Sequence, residues 1–169
     1  LDLIANNNWK RPIYFSGGAY DDEDFLWMKN YLQLDGMTYK LVPIKTEMPK
    51  DASPLEMGGI DTDKMYANVM KWDWGNSESL SIYHDPETRK NSITYRSYLS
   101  RLMNQLILEG KKEKAKNIIT LAMNKMPLEQ FGYYSLLEPF AKGYYDLGEN
   151  AKAQDLLSKL ILKYKENLK

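Results

Sequence analysis

Apolar positions change their spacing along this chain, and each change marks an element. RPIYF, Arg11 to Phe15, is β-branched and aromatic and is closed off by Gly17 and Gly18, which predicts a short strand. In DDEDFLWMKNYLQLDG, residues 21–36, apolar side chains at Phe25, Leu26, Met28, Tyr31, Leu32 and Leu34 recur at helical intervals. Asp21 or Asp22 caps that helix, acids fill its first turn, and Gly36 stops it. MTYKLVPI, residues 37–44, alternates at Met37, Tyr39 and Leu41 and reads as a second strand. Strand, helix and strand in this order form a βαβ unit, expected with parallel strands and a right-handed crossover. Residues 45–60 hold Pro49, Pro54, Gly58 and Gly59 and read as an irregular loop. DTDKMYANVMKW, residues 61–72, predicts a short helix capped by Asp61 or Thr62, with Met65, Val69 and Trp72 near one face. WDWGNSES and YHDPETRKN read as turn-rich connections.

From Ser92 the pattern turns to long helices, and it repeats. Laying Gly110 on Gly148 gives a period of 38, which places Ala115 on Ala153, Ile119 on Leu157 and Leu106 on Tyr144. Leu102 then falls on Phe140 and Leu99 on Leu137. This resembles the tetratricopeptide repeat, with large residues on a first helix, a small then a large residue on a second, and a closing proline. The alanines suit the closest approach of two helices, and each glycine ends a first helix without a Cβ penalty. Pro127 closes the first copy, while Lys165 stands there in the second; Met103 and Ala141 occupy the small-residue slot, and no tryptophan opens either copy. Two copies bury too little to stand alone, so the first half is expected to cover one end of the stack. The predicted class is α+β: a small βαβ-containing module with irregular loops over 1–90, packed on two tetratricopeptide-like helical hairpins over 91–169.

Composition narrows the chemistry. A chain of 169 residues with 43% hydrophobic and 12% aromatic residues is globular rather than disordered. Zero net charge argues against a nucleic-acid partner. The charge is uneven: ten basic and fifteen acidic side chains over 1–90 against thirteen and eight over 91–169. With no cysteine there is no disulfide or thiolate site, and with His84 as the only histidine no multi-histidine metal site. No apolar run reaches the roughly 18–20 residues that span a bilayer. LDLIANNNW reads as neither a signal peptide nor a natural start, so the chain is expected to be a piece of something longer.

Candidate sites are few. Gly17 and Gly18 suggest a phosphate loop, but Asp21, Asp22, Glu23 and Asp24 would repel an anion there. The same acids lack the alternating ligands of a calcium loop, so helix capping is the expected role and no metal or cofactor is expected. Paired carboxylates among Asp21–Asp24, or with Asp61 and Asp63, would suit glycosidic cleavage only at a separation that sequence does not give. His84 lies in a turn without a nucleophile elbow and is expected to be an exposed loop histidine. No catalytic residue is assigned. The binding candidates are Trp9, Lys10, Arg11, Tyr14, Trp72 and Trp74, as a carbohydrate- or peptide-stacking surface or, alternatively, as packing. The concave face of the hairpins offers a small peptide site.

Several phrases in order, NNNWKRPIYF, YLQLDGMTYKLVPI, DKMYANVMKWDWGN, LILEGKKEKA and AKGYYDLGENAKA, resemble the C-terminal soluble region of bacterial protein O-mannosyltransferase-like multi-spanning membrane proteins. The resemblance implies a membrane-embedded, inverting, lipid-linked-sugar glycosyltransferase whose catalytic acid and donor site lie in the membrane portion. Nothing in residues 1–169 matches those parts. It further implies a periplasmic position, with the membrane portion as a partner and an acceptor protein or peptide as another. Association with the membrane is then expected only through that other portion. The expected function is a non-catalytic extracytoplasmic domain, and the alternative is a free-standing repeat scaffold that binds a peptide or protein.

Overall fold

The computed structural model describes residues 2–16, 27–48 and 57–167. The chain divides into two compact units, Leu1–Val69 and Met70–Lys169. The predicted capping acids Asp21–Asp24, together with Gly17 and Gly18, lie outside the described residues.

The first unit opens with a short helix α1 (Asp2–Asn7), none of whose residues is buried. Strands β1 (Tyr14–Ser16), β2 (Leu32–Asp35), β3 (Thr38–Leu41) and β4 (Gly59–Ile60) form one sheet in the order β1-β3-β2-β4. β3 runs antiparallel to both β1 and β2, and β4 runs parallel to β2. The expected helix through residue 36 and the βαβ unit are therefore corrected. Lys29–Tyr31 is a single 3-10 turn, and Leu32–Asp35 is a strand. The reason is visible in LQLDGMTYKL. Leu32, Leu34, Tyr39 and Leu41 are all buried while Gln33, Asp35, Thr38 and Lys40 are half-buried, a period of two on both sides of Asp35-Gly36. With Asp35 opposite Thr38, the loop is two residues long, and φ at Gly36 is 70°. Asp-Gly between alternating strands is a hairpin signal, and it overrides the helical spacing of the same leucines. Helix α2 (Thr62–Val69) buries Met65 and Val69 completely. Of its two capping candidates, Asp61 acts: its Oδ1 accepts from the Lys64 N–H at 3.1 Å. Trp72 lies past the helix end, in the second unit.

The second unit consists of helices α3 (Pro86–Leu108), α4 (Lys112–Lys125), α5 (Leu128–Phe131), α6 (Glu138–Asp146) and α7 (Asn150–Asn167). A 3-10 turn, Tyr134–Leu137, leads into α6. Only the start of YHDPETRKN is a connection; from Pro86 it is the first turn of α3, which Asp85 caps through Oδ1 to the Glu87 and Thr88 N–H groups. α3 packs on α4, and α6 packs on α7. The two turns are the same, bond for bond. After α3, Glu109, Gly110 and Lys111 donate to the carbonyls of Gln105, Ile107 and Leu106. After α6, Leu147, Gly148 and Glu149 donate to those of Gly143, Tyr145 and Tyr144. Each position is shifted by 38, and each set is a Schellman motif around a glycine at φ 73° or 78°.

The hairpins bury Leu99, Leu102, Met103, Leu106, Ile118, Ile119 and Phe140 with almost no exposure. At roughly 1.5–3 kcal/mol for each large apolar side chain, this core is the main favourable term in the second unit. Gly143 marks a tight approach between the hairpins. A Cβ there would overlap Met103 Sδ and lie 3.2 Å from Ile119 Cδ1.

Candidate functional site

The six predicted binding residues fall in different units. In the first, Trp9 follows α1 with its backbone at φ 56°, beside Asn8 at φ 46°. Two consecutive left-handed residues other than glycine are uncommon. The turn is held by Lys10 N–H donating to the Asn7 carbonyl and by Asn7 Nδ2 donating to the Arg11 carbonyl at 2.7 Å. Trp9, Lys10 and Arg11 are exposed. Tyr14 on β1 is exposed too, with its hydroxyl 3.4 Å from Asp35 Oδ2; what burial it has, and the Asp35 charge, raise its pKa. Asn68 on α2 donates to the other oxygen of Asp35 at 2.6 Å.

In the second unit, Trp72 and Trp74 come together, and they gather a third ring that the sequence did not single out. Tyr95 on α3 lies 5.5 Å from each of them, and the two indoles are 5.7 Å apart. Tilted and edge-on contacts are the favoured geometry for such rings. The rings are half-buried, and Trp74 Nε1 is cut off from solvent without a hydrogen-bond partner. The cluster therefore packs against α3 and leaves part of its surface open.

His84 is not the exposed loop histidine expected. Its ring lies 4.5 Å from that of Phe131, and Nε2 is 2.9 Å from the Ser77 carbonyl oxygen, which assigns the ring proton to Nε2. It lines a cleft of about 290 Å³ with Leu80, Ser81, Ile82, Tyr83, Arg89 and Gln130. Leu80 and Tyr83 are more than 80% exposed. Gln130 Nε2 donates to the Ser79 carbonyl at 2.6 Å, while Gln130 Oε1 and Arg89 Nε are buried and unpaired.

Arg96, another residue the sequence reading passed over, is fully buried. Its Nη2 donates to the Met126 carbonyl at 2.8 Å, and Nη1 to those of Gly132 and Tyr133 at 2.5 and 3.3 Å. These oxygens end α4 and α5 and begin the next turn, so the guanidinium meets partial negative charge at two helix C-termini. Burial pushes its pKa down to about 10, and among the described residues it forms no ion pair. This is a structural socket. The sequence signal was thin: one of three arginines in an ordinary amphipathic helix.

Among the described residues no group of three or more His, Asp or Glu side chains is placed to hold a metal ion. No described helix is long and apolar enough to cross a membrane. The fold and these surfaces define a mixed α+β protein, with a four-stranded sheet in one unit and paired helices in the other. The family model of TMEM260-associated domain 2 matches residues 1–64, so over the sheet-bearing unit the chain is similar to a domain described as accompanying TMEM260. No curated protein and no solved structure matches the chain.

Proposed function

We propose that this chain is a non-catalytic accessory domain of a TMEM260-like membrane protein of the protein O-mannosyltransferase-like type. The observation that carries the reading is the match over residues 1–64, which falls on a folded unit with its own sheet and core. In this reading the domain sits on the extracytoplasmic side, the periplasm in a bacterium, beside the membrane-embedded portion that performs sugar transfer. The 38-residue recurrence of the Schellman turns supports a tetratricopeptide-like assignment for the hairpins, and with it a role in engaging an acceptor protein or a partner subunit. The half-open ring cluster of Trp72, Trp74 and Tyr95 suits such contact through aromatic area.

The test compares sugar transfer by the full-length protein with and without residues 1–169. Transfer to a short synthetic peptide should persist within a fewfold, while transfer to a folded protein acceptor should fall at least tenfold. Loss of both in a deletion that still inserts and folds would refute the accessory role, as would transfer by the isolated chain.

A further inference from the structure

We propose that the cleft between residues 80–84 and the start of α3 binds the carboxyl-terminal residue of a peptide. Three features of its wall ask for three different groups. Arg89 lines the cleft, and its guanidinium has no hydrogen-bonding or ion-pairing partner among the described residues. The two acids nearest it in sequence are engaged elsewhere: Glu87 pairs with Lys90 at 2.7 Å, and Asp85 caps α3, accepting from the Glu87 and Thr88 N–H groups and the Thr88 hydroxyl. A planar fork of N–H donors matches a carboxylate. Gln130 commits its NH₂ to the Ser79 carbonyl and leaves Oε1 without a donor, so an N–H is wanted beside the carboxylate. Leu80, Ile82 and Tyr83 form an exposed apolar rim, which an aliphatic or aromatic side chain would cover.

A carboxylate, an amide N–H one carbon away and an apolar side chain on that same carbon describe the last residue of a peptide. The cleft volume of about 290 Å³ suits one or two residues rather than a long segment. Arg89 Nε and Gln130 Oε1 are closed off from solvent, but both belong to half-buried side chains, whose rotation would bring them to an occupant. His84, hydrogen-bonded to the Ser77 carbonyl and tilted against Phe131, forms part of the cleft wall. The assignment does not depend on the membrane-protein reading, since a free-standing domain would carry the same cleft.

The test uses the chain itself, with N-acetyl-leucine as the probe and N-acetyl-leucinamide as the control that lacks only the charge. Both are titrated against the NMR signals of the Arg89 side-chain N–H and the His84 ring. N-acetyl-leucine should give saturable shifts, and the amide should bind at least roughly tenfold more weakly, because a hydrogen bond to a charged group is being removed. Arg89→Gln should abolish the preference for the acid, and Arg89→Lys should restore part of it, with core signals from Ala115 and Ala153 unmoved. Equal affinity for acid and amide, an undiminished acid preference in Arg89→Gln, or no saturable shift with either probe would each overturn the proposal.

Discussion

Replacing Arg96 with methionine keeps the length of the side chain and removes its charge and its donors. Three carbonyls, the buried one of Met126 and the part-buried ones of Gly132 and Tyr133, then lose their partner. Hydrogen bonds from a charged group contribute about 1.5–3 kcal/mol each, so roughly 5–9 kcal/mol of interaction is lost. Against this stands the cost of burying the guanidinium. The lowering of its pKa by burial to about 10 corresponds to about 3 kcal/mol, recovered when the charge goes. The difference predicts destabilisation of about 2–5 kcal/mol. For a unit near 100 residues, a loss of 3 kcal/mol lowers Tm by roughly 12–24 °C. Denaturant unfolding followed by tryptophan fluorescence and by far-ultraviolet circular dichroism measures it. The sign of the pH dependence is an added check. A base with a depressed folded pKa is held less tightly by the native state, so its desolvation cost is complete at neutral pH and is relieved only above about pH 10. Arg96→Lys, whose unfolded pKa is ~10.4 and whose folded value is lowered by the same burial, should therefore gain stability as pH rises through the alkaline range. A methionine variant as stable as the parent, or more stable, would show that desolvation outweighs carbonyl capture, and the reasoning would fall.

Gly143→Ala gains up to about 1 kcal/mol of helix propensity but forces a methyl into Met103, so a net loss of about 1–2 kcal/mol is expected by denaturant titration. Combined with Met103→Ala, which opens space at that contact, it should cost less than the sum of the single losses by more than ~0.5 kcal/mol. Gly110→Ala and Gly148→Ala should each cost about 1–2 kcal/mol, equally, because both sit at positive φ with open space around the added Cβ. Glu149 bridges to Lys116 at 2.9 Å, and hydrogen bonds from Lys116 and then Lys152 lower its pKa below 4.5. An acid with a lowered folded pKa stabilises above its ordinary value and loses that contribution as pH falls through the folded one. The Tm difference between the parent and Glu149→Gln should accordingly be present at pH 6 and vanish on strong acidification.

The helical half was legible because its signals are redundant. Gly110, Gly148, Ala115 and Ala153 each fixed the same register, and the structure repeats it down to individual hydrogen bonds. The sheet was not read correctly, since Leu32 and Leu34 satisfy both a helical and an alternating pattern, and only the Asp35-Gly36 turn separates them. The start of α3 was missed for a related reason: Asp85-Pro86 is turn chemistry that also opens helices. Of the surfaces, Trp72 and Trp74 could be named from composition, but Tyr95 joins them only through folding across some twenty residues. Arg89, Gln130 and Arg96 were invisible for a deeper reason. Their roles lie in which polar atoms find partners, and a sequence does not display that.

Arg96 belongs to the first hairpin, yet two of the oxygens it holds lie beyond Pro127, on the connection to the second. Stacked helical arrays commonly melt from their ends, one module after another. Here, fraying that begins at α7 would have to strip an interior cation of its acceptors before it could pass Gly132. That single side chain ties neighbouring modules together, so the linker between them is expected to open with the interior rather than ahead of it.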